Sequence, residues 1–131
     1  MSKLNEKGQS LALFIILIPL IIMFSSFVID TGYMKYNKSK LDDINKIAVN
    51  YSLDNMDIIE EEKINYLIKK NDDEIDEIQI SINTDEKSVS ITIEKSFKGI
   101  FGYFLDKDVY DAKSSYKGTI IDDKKIIERV D

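Results

Sequence analysis

Polar and apolar residues follow two different periods along this chain, and a stretch with no polar period at all comes before both. From Leu11 to Ile29 no charged residue occurs. As a helix rising 1.5 Å per residue, these roughly nineteen residues span roughly 28 Å, the hydrocarbon thickness of a bilayer. A cleaved secretory signal, an uncleaved anchor and the buried helix of a soluble protein all start from such a run. A signal has an apolar core of about 7 to 15 residues ending in small residues before the cut, whereas this run is longer and leaves through Val28-Ile29-Asp30-Thr31-Gly32. Length and flanks therefore favour an uncleaved transmembrane helix over 11–29. Pro19 removes one backbone donor and predicts a kink near its middle. Ser25, Ser26 and Gly32 are small residues on the exit half that would let another helix approach closely, and Asp30 sits at the exit, where burial is costly unless the charge is paired.

Beyond Asp30 a helical period sets in. Met34, Leu41, Ile44, Ala48 and Tyr51 recur every three or four residues, so one long helix is expected to leave the bilayer and become amphipathic. Its stripe is expected to pack chiefly on the chain's own domain. The polar cluster at 54–57 offers N-caps for a second helix near 56–70, with Ile58, Ile59, Ile64, Leu67 and Ile68 on its apolar face and Lys69 and Lys70 suiting its C-terminus. The period then changes to two. Ile78, Ile80 and Ile82 alternate with polar residues, as do Val89, Ile91 and Ile93, and the polar stretch 83–87 between them marks a β-hairpin with one face buried. The segment 97–105 crowds aromatic residues around two glycines and predicts a turn or short helix. Phe101, Tyr103 and Phe104 in it would cap the hairpin as core or form an exposed docking patch. A third strand is expected over 109–116, and the tail IIDDKKIIERV adds a last strand or a short helix. The fold class is α+β: a single N-terminal transmembrane helix continuing into an amphipathic helix, a second helix, and a small antiparallel sheet. The chain divides into a leader over 1–10, the span over 11–29 and one α+β domain over 30–131, which is too small to own more than a modest core.

Composition narrows the chemistry. The formal net charge is -6, which sets the molecule against phosphate backbones, so nucleic acid is not an expected partner. With no cysteine and no histidine, thiolate nucleophiles, disulfides, the commonest transition-metal ligands and the commonest general base are all missing. The acidic run at 71–77 lacks the glycine and spacing of a calcium loop and predicts a solvated linker. No spacing of carboxylates, Lys, Tyr or Ser assembles a catalytic pair, and neither an enzyme nor a cofactor is expected. Lys3, Lys7 and the amino terminus precede the apolar run while Lys35, Lys38, Lys40 and Lys46 follow it, so counting basic residues does not choose an orientation.

The stretch KGQSLALFIILIPLIIMFSSFVIDTGYMKYNKSKLDDINKIAVNYSL resembles the N-terminal segment of the TadE/TadG-like proteins of Flp (tight adherence) pilus assembly. That family shows a Gly after a basic residue, an apolar run carrying a Pro, and an Asp and a Gly at the exit; here these are Gly8, Pro19, Asp30 and Gly32, followed by Leu41, Ile44 and Ala48. The resemblance implies a pilin-like, non-enzymatic membrane protein of the bacterial cell envelope, with its N-terminus in the cytoplasm and its C-terminal domain outside. Implied partners are the lipid bilayer and other pilus-assembly or pilin-like membrane proteins, in homo- or hetero-oligomers formed through the N-terminal helix. It also places a processing point between Gly8 and Gln9. The family often carries Glu five residues after that Gly, where Leu13 stands in this chain, and this departure points to an anchored accessory rather than a filament subunit. The competing expectation is an anchored extracellular binding module, unconnected with a filament, that meets its partner through the aromatic patch at 101–104.

Overall fold

A computed structural model describes residues 2–100 and 109–130. It opens with α1, Ser2–Asp54, a single helix of 53 residues that passes through both expected boundaries, at 10 and at 29, and contains Pro19. Helix α2, Glu61–Asn71, comes next, and then four strands: β1 Glu77–Asn83, β2 Ser88–Lys98, β3 Val109–Ile121 and β4 Lys124–Arg129. The strands form one antiparallel sheet in the order β1-β2-β3-β4, so every sheet connection is a hairpin between neighbours. The architecture is α+β, with α1 lying along β2, β3 and β4.

The hairpin predicted from alternation is present, with Ile82 opposite Val89, Ile80 opposite Ile91 and Ile78 opposite Ile93. Extending those rows, Gly118 and Ile127 continue the first and Tyr116 and Arg129 the second. Helix α1 adds Leu41, Ile44, Ala48, Val49 and Leu53 to this face, and α2 adds Ile64 and Ile68. At the centre of the contact Gly118 makes room for the helix. A Cβ there would lie 2.4 Å from Val49 Cγ1 and 2.7 Å from Leu53 Cδ1, so α1 sits nearer to β3 than any side chain at 118 permits.

Several expectations need correction. Helix α2 begins at Glu61, not 56, because α1 runs to Asp54 and the chain must turn first, with the Ile58 N–H bonded to the Asn55 carbonyl and Ile58 itself exposed. The helical stripe is shifted: Met34 and Tyr51 are exposed, whereas Asn37, Asn45 and Ser52 are buried. Phe97, expected in a turn, is a buried residue of β2. Strand β3 runs to Ile121, five residues past its expected end. The tail forms a strand and not a helix, entered through Asp122 and Asp123, whose φ values of 52° and 63° suit the two-residue hairpin turn with both residues left-handed.

Candidate functional site

Because the chain offers little reactive chemistry, its candidate site is a surface, and α1 supplies it by having two unlike halves. Along Leu11–Ile29 the large apolar side chains are exposed, and the helix is long and apolar enough to cross a membrane. From Asn37 onward the same helix is half buried by its own domain. A bare apolar rod projecting from a packed domain is unfavourable in water and favourable in lipid.

Asp30 sits where the two halves meet. Its side chain is only 2% exposed, and its Oδ2 accepts a hydrogen bond from the Tyr110 hydroxyl at 3.3 Å. Gly99 passes close by: a Cβ there would meet Tyr110 Cε2 at 2.4 Å and Asp30 Oδ2 at 2.8 Å. One turn on, the Tyr33 ring meets Phe97 edge to face at 5.4 Å, and Phe97 stacks on Tyr110 at 6.0 Å. Burial, then the Asp30 charge and the hydrogen bond to it, push the Tyr110 phenol above its ordinary pKa. The end of β2 and the start of β3 are thereby held at the level of Asp30.

The residues singled out from the sequence divide between two faces of α1. Ser26 is buried and returns its hydroxyl to the Ile22 carbonyl at 2.7 Å, in line with Asp30 on the domain side. Ser25 and Gly32 are exposed, and a Cβ added to Gly32 meets nothing within 4 Å. Gly8 is equally open and Gln9 exposed. Of the three small residues that would admit a neighbouring helix, Ser25 and Gly32 therefore face away from the domain and Ser26 does not, while Asp30 is engaged within its own chain. The expected docking patch, Phe101, Tyr103 and Phe104, lies outside the described residues.

Two polar groups inside the domain gave no signal to apolar periodicity. Asn45, fully buried, donates from Nδ2 to the Ile91 carbonyl at 3.0 Å and the Ser114 carbonyl at 3.0 Å, tying α1 to two strands at once. Its Oδ1 is buried without a hydrogen-bond partner among the described residues. Lys95 continues the inward phase of Val89, Ile91 and Ile93 and ends 2.8 Å from Asp72 just past α2, with the two side chains 6% and 5% exposed. The position was readable as a lysine in register with a buried face. Burial alone would raise the Asp72 pKa and lower that of Lys95. The hydrogen bond and charge they share, helped at Asp72 by the Glu74 N–H, outweigh it and hold Asp72 below and Lys95 above their usual values.

Among the described residues no three or more Asp or Glu side chains group to hold a metal ion. The hollow at the far end of the domain is bounded by Asp54, Asp57, Thr84, Lys87 and Asp123. No protein-family model, curated protein or solved structure matches this chain.

Proposed function

We propose that this protein is a membrane-anchored, pilin-like component taking part in assembly of a Flp/Tad-type pilus or a related secretion apparatus, without catalytic activity of its own. In this reading the apolar half of α1 crosses the bilayer once, the N-terminus lies in the cytoplasm and the α+β domain stands outside. The observation that carries it is the continuity of α1: one helix is bare and apolar in its first half and is the spine of a four-stranded antiparallel sheet in its second. Such a rod can deliver a rigidly attached domain to the membrane surface while offering its apolar half, with Ser25 and Gly32, to neighbouring helices. The resemblance of the segment from Gly8 to Gly32 to TadE/TadG-like proteins supplies the type of assembly.

The absence of native cysteine makes the test direct. Ile18→Cys and Ile22→Cys, on the exposed apolar half, are expected on oxidation with copper-phenanthroline to give disulfide-linked adducts in native membranes, with a second copy of the variant or with another small membrane protein that carries a cysteine at that depth. Asp85→Cys, in the β1–β2 turn, is expected to react with an impermeant maleimide on intact cells. Protein recovered in the aqueous fraction would refute the anchor, and labelling of Asp85→Cys only after lysis would refute the orientation. Anchored protein that forms no lateral adduct would favour the binding module instead.

A further inference from the structure

We infer that the domain has a second contact with the bilayer, in which Ile100 and Val109 at the membrane end of the sheet enter the headgroup layer beside α1. This rests on the anchor reading above and adds to it where the domain sits and which surface it presents to lipid.

Distances along α1 set the level. The uncharged run 11–29 is centred on Leu20, and Asp30 is ten residues further on, about 15 Å along the axis and half the hydrocarbon thickness of a bilayer. Asp30 therefore marks the hydrocarbon boundary. The sheet reaches that boundary and does not stop short of it, since Gly99 and Tyr110 both contact Asp30. Ile100 and Val109 each adjoin one of these residues in sequence, and they are 57% and 52% exposed. Two large apolar side chains facing water at this depth would be poorly placed; in the interfacial layer their burial is favourable.

The rest of the domain is arranged consistently. Strand β3 climbs away from this level beside α1: Tyr110 lies at Asp30, Ser114 at Asn45, and Gly118 at Val49 and Leu53. The β1–β2 and β3–β4 turns lie at the far end, where Thr84 and Asp123 share a hollow with Leu53 and Asp54. Among the described sheet ends, the β2–β3 end is the one at the level of Asp30. The contact is apolar and so should form on zwitterionic phosphatidylcholine without anionic lipid. It would fix the rotation of the domain about α1, because a rigid helix alone leaves the domain free to turn in the membrane plane.

The chain has no tryptophan, so single tryptophans report without background. Full-length Ile100→Trp, Val109→Trp, Leu17→Trp and Thr84→Trp would be placed in phosphatidylcholine nanodiscs with bromines either near the carbonyl end or deep in the acyl chains. Ile100→Trp and Val109→Trp are expected to emit to the blue of Thr84→Trp and to lose most emission to the shallow bromines. Leu17→Trp should be quenched mainly by the deep ones, and Thr84→Trp by neither. If Leu17→Trp is quenched while Ile100→Trp and Val109→Trp match Thr84→Trp, the domain stands clear of lipid and this inference is wrong, with the anchor intact. Blue emission at 100 and 109 without quenching would mean that protein, such as a second copy, covers them, which also overturns it. An unquenched Leu17→Trp would remove the anchor itself.

Discussion

Replacing Lys95 by Met is the sharpest test of how the domain is held together. Lys95 is an inward-facing charge on a strand whose other inward residues include Val89, Ile91, Ile93 and Phe97, and its ammonium group is 2.8 Å from Asp72 and 3.7 Å from Glu74. Removing it leaves the Asp72 carboxylate buried against the end of α2 with the Glu74 N–H as its remaining donor among the described contacts. Breaking a buried pair from one side costs about 3–5 kcal/mol, most of it the uncompensated charge. Set against a total stability of about 5–15 kcal/mol for an ordinary domain, that is a large fraction. At an m-value of about 2 kcal/mol per molar urea, the midpoint should fall by about 2 M. Pulse proteolysis of the detergent-solubilised full-length protein across a urea series reads it without interference from the apolar half of α1. The double variant Lys95→Met/Asp72→Leu should recover most of the loss, because no charge is then stranded. An unchanged midpoint in Lys95→Met, or a double variant as unstable as the two single changes added together, would refute the reasoning. The pH dependence follows from the directions of the shifts. The Asp72 contribution is complete above the ordinary carboxylate range and lost as pH falls through its lowered pKa. That of Lys95 is complete below the ordinary lysine range and lost as pH rises through its raised pKa. The pair therefore stabilises a plateau around neutrality, and Asp72→Asn should flatten its acid edge.

Gly118→Ala forces a methyl group against Val49 and Leu53 and should cost about 1–3 kcal/mol by the same assay, with Val49→Ala in the same chain restoring part of it. Asn45→Ala removes both hydrogen bonds that join α1 to the Ile91 and Ser114 carbonyls and should cost about 1–3 kcal/mol, with hydrogen exchange accelerating in β2 and β3 first; loss confined to α2 would contradict the bridging role. Tyr110→Phe should remove a late component from the alkaline absorbance titration, since Tyr110 keeps its proton beyond the usual tyrosine range. The stability Tyr110 supplies is present below that range and lost as pH rises through the raised pKa.

How much of this was legible depended on which residues carried the contact. The β1–β2 hairpin was plain because its buried face is aliphatic at every second position from Ile78 to Ile82 and from Val89 to Ile93. Strand β3 was cut short because its buried face reads Tyr110, Ala112, Ser114, Tyr116 and Gly118, small and polar where the helix comes closest, so apolar alternation fades where packing is tightest. The stripe expected on α1 holds at Leu41, Ile44 and Ala48 and fails at Met34 and Tyr51 for the mirror-image reason. Hydropathy counts these last two as core, yet beside Leu41, Ile44 and Ala48 the buried positions are Asn37, Asn45 and Ser52, whose donors bond to helix carbonyls or to the strands. The start of α2 is not legible because Ile58 reads as the first apolar position of a helix and is instead exposed in the turn that follows α1. Asp30 was recognised as a costly charge at the end of the apolar run. Its partner, Tyr110, is 80 residues away in sequence and was not visible from spacing.

The polar residues on the buried side of α1 have a consequence for how the domain meets a membrane. Away from the close contact at Gly118, aliphatic side chains against an aliphatic face specify the height of the helix less sharply than a directional hydrogen bond does. Asn45 does not tolerate a slide: displaced by one turn, its buried amide loses both acceptors and Leu41 or Val49 takes its place. Asp30 and Tyr110 impose the same condition from the other end. The two pins are fifteen residues apart, about 22 Å along the helix, and between them they lock the sheet to one height on α1. In the proposed anchor, where the apolar half of that helix sets its own depth in lipid, the height of the sheet relative to the bilayer is fixed by these hydrogen bonds together with the close contact at Gly118.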